Sequence, residues 1–146
     1  VSRPATAMPR SHTSAFRIEF GDCDPAQILF YPNYFKWMDI AALHFFNACG
    51  ISSWRETKAE RGIIGTPLIA ASAKFISSAT YPEHIEVDTS VAEKRGKSFV
   101  LKHVIRRGDT VLVEGEETRV FAIEDPDDPK RIKAVAIPED ILAQWM

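Results

Sequence analysis

The sequence has few of the features that metal-binding, disulfide-rich, membrane and nucleic-acid-binding proteins require. It contains two cysteines, Cys23 and Cys49, at no Cys-x-x-Cys spacing, so neither a structural zinc site nor a disulfide scaffold is predicted. It has no apolar run of the roughly 18 residues that a membrane-spanning helix needs. The net charge of −2 gives no general attraction to nucleic acid or to an anionic membrane. We therefore expect no nucleic-acid or membrane partner, and the two thiols fit a reducing cytoplasm.

The histidines give no indication of a metal site either. His44, His84 and His103 show no ligand spacing of the His-x-x-x-His kind. His103 shares one face of a predicted strand with Phe99, Leu101 and Ile105, which favours a packing role over a chemical one. No metal ligand is therefore predicted.

The length and composition fit one globular domain. A chain of 146 residues with 45% hydrophobic residues can bury a substantial core without disulfides or metals. The first 14 residues contain two prolines, lack acidic residues and show neither helical periodicity nor the apolar segment of a secretory signal. We predict a flexible tail over residues 1–14 and a single folded domain over residues 15–146.

Hydrophobic periodicity predicts a strand, two helices and then a series of strands. Apolar residues alternate over residues 15–20, as in a half-buried strand that includes Phe20. Pro32 suits the first position of a helix over residues 32–49, whose apolar residues recur at three- and four-residue steps. The further predicted elements are a helix at 53–61, strands at 68–77, 85–95, 98–107, 110–124 and 131–137, and a short helix at 138–145. No helical crossover separates the later strands, so we predict an α+β fold with one antiparallel sheet around one long apolar helix.

Residues 20–34 give the strongest indication of function. They read Phe-Gly-Asp-Cys-Asp-Pro-Ala-Gln-Ile-Leu-Phe-Tyr-Pro-Asn-Tyr, so a turn with two carboxylates, Asp22 and Asp24, leads to a helix start. The first N–H groups of a helix have no intrahelical partner, and they can stabilise a developing negative charge. A carboxylate beside such groups offers the base or nucleophile and the oxyanion site that acyl transfer needs. From spacing alone, an Asx turn before proline is the commoner role of an Asp-Pro pair, and Asp22 is expected to stabilise the turn.

This motif closely resembles that of the 4-hydroxybenzoyl-CoA thioesterases, an Asp-dependent branch of the hotdog-fold proteins. The resemblance continues in order from about residue 16 to 138 and includes Trp54-Arg55, residues 60–67, residues 97–100 and residues 119–122. It implies a hotdog fold, in which a curved antiparallel sheet wraps around one long central helix. It also implies hydrolysis of an acyl-CoA thioester, an aryl-CoA of the 4-hydroxybenzoyl kind, to free acid and CoA. Coenzyme A is then part of the substrate, and no metal or other cofactor is expected.

The resemblance also assigns residues to the site. Asp24 matches the catalytic carboxylate, which acts as nucleophile or general base, and the backbone N–H of Tyr31 matches the oxyanion donor. Arg95 and Lys97 match basic residues that bind the phosphates of CoA. Positions at or near the acyl pocket are matched by Gln27, Asp39, Trp54 and Thr66.

Two positions depart from the family pattern and leave the acyl group open. Gln27 stands where these enzymes have glycine, and Gly96 stands where a further cation is expected. The resemblance implies a homodimer or a tetramer of dimers, with the pocket between subunits. The alternatives are a thioesterase for short or medium aliphatic acyl-CoA or acyl carrier protein thioesters, and a non-catalytic hotdog module that binds CoA thioesters.

Overall fold

The computed structural model describes residues 10–145, which form seven strands and three α-helices. In chain order these are β1 (Ser11–Arg17), α1 (Pro32–Ala48), α2 (Trp54–Arg61), β2 (Ile63–Gly65), β3 (Leu68–Phe75), β4 (His84–Arg95), β5 (Ser98–Arg107), β6 (Thr110–Asp125), β7 (Asp128–Val135) and α3 (Glu139–Trp145). A single 3-10 turn at Phe20–Asp22 lies between β1 and α1. No helix among these is long and apolar enough to cross a membrane.

All strand pairings in this sheet are antiparallel. The main order is β1-β4-β5-β6-β2, and β3 and β7 also pair with the long strand β6. The connections between β4, β5, β6 and β7 are tight hairpins, because each of these strands begins within three residues of the previous one. The predicted antiparallel sheet without helical crossovers is confirmed.

The N-terminal boundary of the fold differs from the prediction. Residues 1–9 of the predicted tail lie outside the described residues, but Ser11–Ser14 belong to β1 and pair with β4. The boundary at residue 14 was therefore wrong. The predicted strand also ends early, at Arg17, and Phe20 is 79% exposed. The Asp22 carboxylate accepts a hydrogen bond from the Glu19 N–H at 2.8 Å, which closes the 3-10 turn and takes Phe20 out of the sheet.

Helix α1 lies against one face of the sheet and contributes seven buried residues to the core. Its buried residues fall into two hydrophobic clusters, one around Met38 and one around Phe45 and Phe46. On β6, Gly115 faces Met38, and the Met38 sulfur occupies the space that a Cβ at residue 115 would need. This close approach fixes α1 against the middle of the sheet, and hence the place of its N-terminus.

Strand β3 forms an edge of the sheet, and it is unusual in being exposed on both faces. Seven of its eight residues are exposed, including Leu68, Ile69 and Phe75. One side of β3 pairs with β6, and within residues 10–145 no strand pairs with the other side. An apolar strand with a free edge is a surface that soluble proteins normally cover.

Candidate active site

The motif between β1 and α1 folds into a small closed loop that holds the Asp24 carboxylate. The Asp24 N–H donates to the Ile28 carbonyl at 2.9 Å, and the Gln27 N–H donates to the Asp24 carbonyl at 2.8 Å. One carboxylate oxygen, Oδ1, accepts from the Ala26 N–H at 2.8 Å. The Asx turn is therefore present, yet it occupies only one oxygen of a partly exposed carboxylate. Oδ2 has no hydrogen-bond partner in residues 10–145, so the turn orients this carboxylate and leaves one oxygen for chemistry.

The same loop is tied to the start of α1. The Asp22 carbonyl accepts hydrogen bonds from the Phe30 N–H at 2.9 Å and from the Asn33 side-chain amide at 2.8 Å. Tyr31 is the N-cap residue and Pro32 the first helical residue, as the sequence predicts. Among the described residues the Tyr31 N–H donates to no acceptor, so it remains available to a ligand at the positive end of the helix. Asp22 also closes the turn through the Glu19 N–H, which confirms its predicted structural role.

Asp24 and Tyr31 line neighbouring cavities. A cavity of about 510 Å³ is bounded by Asp24, Gln27, the exposed Phe20 ring and Tyr81. A second, of about 250 Å³, is bounded by Tyr31, Tyr34 and Phe75. The segment between β3 and β4 contributes to both cavities. Thr80 and Tyr81 line the Asp24 cavity, and Ser77 and Ser78 line the Tyr31 cavity. Thr80 and Tyr81 were not predicted as site residues, since neither belongs to a motif.

Gln27 adopts a left-handed backbone conformation, with φ of 67°. Glycine takes this conformation without steric penalty, whereas a residue with a Cβ loses about 1–2 kcal/mol. The Gln27 carbonyl accepts a hydrogen bond from the Thr80 hydroxyl at 2.5 Å, which holds the loop in this conformation. The departure from glycine therefore has a local conformational cost and places an amide side chain on the wall of the Asp24 cavity.

Asp39 and Thr66 are brought together by Arg119, a residue that the prediction did not assign to the site. The Arg119 guanidinium donates through Nη2 to Asp39 Oδ1 at 2.7 Å and through Nη1 to the Thr66 carbonyl at 2.8 Å. It also forms an ion pair with Glu117 at 2.8 Å. The one indication in the sequence is that Glu117 and Arg119 alternate on the face of β6 that turns towards α1, where apolar residues are expected.

The charges of this group stabilise one another. Burial raises the pKa of Glu117, but hydrogen bonds from His103 and Arg119 outweigh it, so the pKa lies below its usual range. Burial likewise opposes the charge of Arg119, and the ion pairs with Glu117 and Asp39 outweigh that effect and raise its pKa. Both residues are therefore charged at neutral pH.

Trp54 packs at the edge of the core. It is the first residue of α2, which Ser53 caps by accepting a hydrogen bond from the Glu56 N–H at 3.1 Å. Its ring packs edge-on against Phe46, with centroids 5.7 Å apart, at the border of the second hydrophobic cluster. It is only partly buried, and its assignment near the acyl pocket stays a prediction.

Arg95 and Lys97 are not brought near Asp24 within this chain. They flank Gly96 in the turn between β4 and β5, whereas the Asp24 cavity adjoins the opposite end of β4, next to Tyr81. β4 has 12 residues, which at about 3.3 Å per residue separate its ends by roughly 36 Å along the strand. Arg95 forms an exposed ion pair with Glu93 at 2.7 Å, and Gly96 has the positive φ of 61° that the turn requires.

Residues 10–145 contain no group of three or more His, Cys, Asp or Glu side chains arranged to hold a metal ion. The groups assembled around the motif loop are instead a carboxylate oxygen and a backbone N–H. Their chemistry is that of proton transfer, nucleophilic attack and oxyanion stabilisation.

Comparisons with known proteins match almost the whole described chain. The model of the thioesterase-like superfamily matches residues 18–145. The 4-hydroxybenzoyl-CoA thioesterase of Pseudomonas sp. (strain CBS-3) is 44% identical over 140 residues, which cover 92% of this chain and 97% of that enzyme.

Solved structures of related enzymes have the same fold. An aspartate-to-asparagine mutant of 4-hydroxybenzoyl-CoA thioesterase, complexed with 4-hydroxybenzoyl-CoA, superposes with a TM-score of 0.87 at 41% identity over 94% of this chain and 99% of that one. A gentisyl-coenzyme A thioesterase has a TM-score of 0.77 at 34% identity over 90% of this chain and 99% of its own. The chain therefore has the hotdog fold that its sequence predicts, and it belongs to the thioesterase-like superfamily and, within it, to the 4-hydroxybenzoyl-CoA thioesterase family.

Proposed function

We propose that this protein hydrolyses the thioester of a hydroxylated aryl-CoA, of the 4-hydroxybenzoyl kind, to the free acid and CoA. The observation that supports this best is the motif loop itself. It fixes Asp24 through one carboxylate oxygen and leads directly to the N–H of Tyr31 at a helix start. Neither the other Asp24 oxygen nor the Tyr31 N–H has a hydrogen-bond partner within residues 10–145. The 44% identical relative is named for this reaction, and two related solved structures are thioesterases for hydroxylated aryl-CoA substrates.

The chemistry needs only these two groups and water. The Tyr31 N–H would donate a hydrogen bond to the thioester oxygen as negative charge develops on it, and losing one such donor typically costs about 10²–10³ in rate. Asp24 Oδ2 would then act in one of two ways. It attacks the carbonyl carbon and forms a mixed anhydride that water cleaves, or it takes a proton from a water that attacks the carbon itself. In both routes the C–S bond breaks, CoA leaves as a thiolate that takes up a proton, and the carboxylate is regenerated. Coenzyme A enters as part of the substrate, without a separate cofactor.

The acyl ring would lie along α1, between Asp24 and Asp39. Asp39 is eight residues after Tyr31, about 12 Å along the helix at 1.5 Å per residue, and its side chain is 70% exposed. Only its Oδ1 is bound to Arg119, so Oδ2 can accept a hydrogen bond from a ring hydroxyl. Thr66, Trp54 and Gln27 would complete the pocket. Because Gln27 replaces the glycine of the relatives on the cavity wall, it can change which acyl group the pocket accepts.

The active unit would be a homodimer. A homotetramer made of two such dimers would complete the CoA site. Pairing of two β3 edges would cover the exposed apolar residues of that strand. Arg95 and Lys97 are separated from Asp24 by the length of β4, so the phosphates of a CoA bound at Asp24 would meet this turn of another protomer. Because both cysteines are free thiols, we place the protein in the cytoplasm.

A thiol-release assay on the wild-type protein tests the proposed function. The substrates are 4-hydroxybenzoyl-CoA, gentisyl-CoA, benzoyl-CoA, short and medium aliphatic acyl-CoA, and an acyl carrier protein thioester. We expect the largest kcat/KM for an aryl-CoA that carries a ring hydroxyl. A preference for an aliphatic or carrier-protein thioester would establish the alternative substrate classes, and binding without hydrolysis of any substrate would establish a non-catalytic module.

Charge reversal in the turn between β4 and β5 tests the CoA assignment. We expect Arg95→Glu with Lys97→Glu to raise KM for an aryl-CoA by about 10- to 100-fold and to change kcat little, because phosphate contacts form equally in the ground and transition states. The matched control is the pantetheine thioester of the same acid, which lacks the nucleotide phosphates. The KM for this pantetheine thioester should be the same for the wild-type protein and the double variant. If the KM for the CoA thioester is also unchanged, these two residues do not belong to the site.

A further inference from the structure

A row of polar side chains crosses the core of the protein between its two hydrophobic clusters. Thr89 on β4, His103 on β5, and Glu117 and Arg119 on β6 are all at most 5% exposed. The Thr89 hydroxyl lies 2.8 Å from His103 Nδ1, and His103 Nε2 lies 2.7 Å from Glu117 Oε1. The row is satisfied when the hydroxyl donates to Nδ1 and Nε2–H donates to the carboxylate. It therefore forms one continuous chain of hydrogen bonds across three strands.

Arg119 is the end of this row, and its guanidinium makes four hydrogen bonds through its five N–H donors. Nε and Nη2 donate to the two oxygens of Glu117, at 3.2 and 2.8 Å. The remaining contacts are those to Asp39 and to the Thr66 carbonyl, on α1 and after β2. The row thus connects the middle of the sheet to two residues of the proposed acyl pocket.

A buried row of charged and polar side chains is weak evidence for a stabilising role. Burying two charges and an imidazole loses their hydration, and well-packed apolar side chains of the same volume give comparable or greater stability. The arrangement has one exposed end, the Asp39 carboxylate, while every other member is enclosed. What the row supplies is a fixed geometry, since a bidentate guanidinium held in a dry core can take one orientation only.

We propose that Arg119 is a positioning residue of the acyl pocket. It holds the Asp39 carboxylate in place to accept a hydrogen bond from a ring hydroxyl of the substrate and ties it to the Thr66 carbonyl, while Glu117 and His103 fix Arg119. This inference rests on the proposed function. It assigns a role in substrate selection to three residues of the core, none of which lies in the catalytic motif.

The role concerns recognition of the hydroxyl and not the cleavage of the thioester. Asp39 lies about 12 Å from Tyr31 along α1, at the far end of the ring from the scissile bond. A site that binds a hydroxyl discriminates strongly against a substrate that lacks it where the bound substrate buries the polar groups of the site and leaves them unpaired. The Asp39 carboxylate is 70% exposed in the single chain, so this discrimination arises when the substrate covers it. Loosening Asp39 should therefore lower kcat/KM for the hydroxylated substrate far more than for benzoyl-CoA.

The test is the ratio of kcat/KM for 4-hydroxybenzoyl-CoA to that for benzoyl-CoA. Arg119→Lys keeps the positive charge beside Glu117 but loses the planar fork, and we expect the ratio to fall about 10-fold or more. The control is Arg106→Lys, which alters an equally close ion pair, Arg106 to Asp88 at 2.7 Å, on the outer part of the sheet. It should keep the wild-type ratio. A purely structural effect of Arg119→Lys would lower kcat/KM equally for both substrates and leave their ratio unchanged. An unchanged ratio therefore overturns the inference.

A second variant covers the case in which Arg119→Lys does not fold. Glu117→Gln keeps the shape of the side chain and removes the charge that orients Arg119, and the same ratio should fall, by less than in Arg119→Lys. Asp39→Asn should abolish the preference for the hydroxylated substrate. Adding Arg119→Lys or Glu117→Gln to Asp39→Asn should lower the kcat/KM ratio no further. If Asp39→Asn loses the preference while both core variants keep it, only the positioning role is wrong. If the wild-type protein shows no preference for the hydroxyl, the proposed substrate fails, and the inference with it.

Discussion

Replacing Asp24 with asparagine lowers kcat for an aryl-CoA thioester by about 10²- to 10⁴-fold, the range typical of a lost general base, and leaves KM within a few fold. The amide oxygen of asparagine can still accept the hydrogen bond that the Ala26 N–H donates to Asp24 Oδ1 at 2.8 Å. The Asx turn, and with it the loop and the start of α1, is therefore preserved. What is lost is the negative oxygen that attacks the carbonyl or deprotonates water. Steady-state thiol release and a separate measurement of substrate binding determine the two constants.

Asp22→Asn is the matched control for this substitution. It makes the same chemical change two residues earlier in the same loop, where the carboxylate accepts from the Glu19 N–H and closes the 3-10 turn. An asparagine oxygen can make that bond as well, so we expect kcat to stay within a few fold of the wild-type value. If Asp24→Asn turned over at the wild-type rate, or if both variants lost activity equally, Asp24 would have no chemical role of its own.

The elements that the sequence predicts well are those with a long, regular pattern. Helix α1 was predicted at 32–49 and runs over Pro32–Ala48, and β5 was predicted at 98–107 and is Ser98–Arg107. In both elements the apolar residues alternate or repeat for ten residues or more, so the sequence pattern identifies the buried face. The three-residue strand β2 was missed, since it is too short to show a period. The start of β1 was missed because Ser11–Ser14 are held by backbone pairing with β4, which hydrophobicity does not encode.

The candidate site divides in the same way. Asp24 and Tyr31 are seven residues apart, and a turn followed by Pro32 is enough to predict that a carboxylate lies beside a helix start. Arg119 could not be placed from the sequence, because its partner Asp39 is 80 residues away and the Thr66 carbonyl is 53 residues away. Such contacts exist only once β6 has paired with β3 and α1 has packed on the sheet. The polar row through His103 was likewise predicted only as packing.

The strand β3 should control both assembly and activity. We expect Leu68→Lys with Ile69→Lys to convert the proposed dimer to a monomer of 16.4 kDa and to lower kcat/KM by about 100-fold or more. The lysines place like charges against each other where two β3 edges would meet, which is also how natural edge strands avoid pairing. Activity should fall because in the proposed dimer the pocket is completed between protomers, and small losses of alignment in an active site can cost about 10²-fold. Sedimentation and thiol release measure the two effects.

The matched control for β3 is Ile132→Lys, which adds a charge at an equally exposed isoleucine on β7. It should leave the sedimentation coefficient and kcat/KM unchanged. Circular dichroism must show that the β3 variant remains folded, because β6, β4 and β5 keep their own pairings without the partner. A wild-type protein that sediments as a monomer at micromolar concentration would contradict the proposed dimer. A folded, monomeric and fully active β3 variant would instead place the whole site within one chain, and the CoA phosphates would then need cations nearer to Asp24 than Arg95 and Lys97.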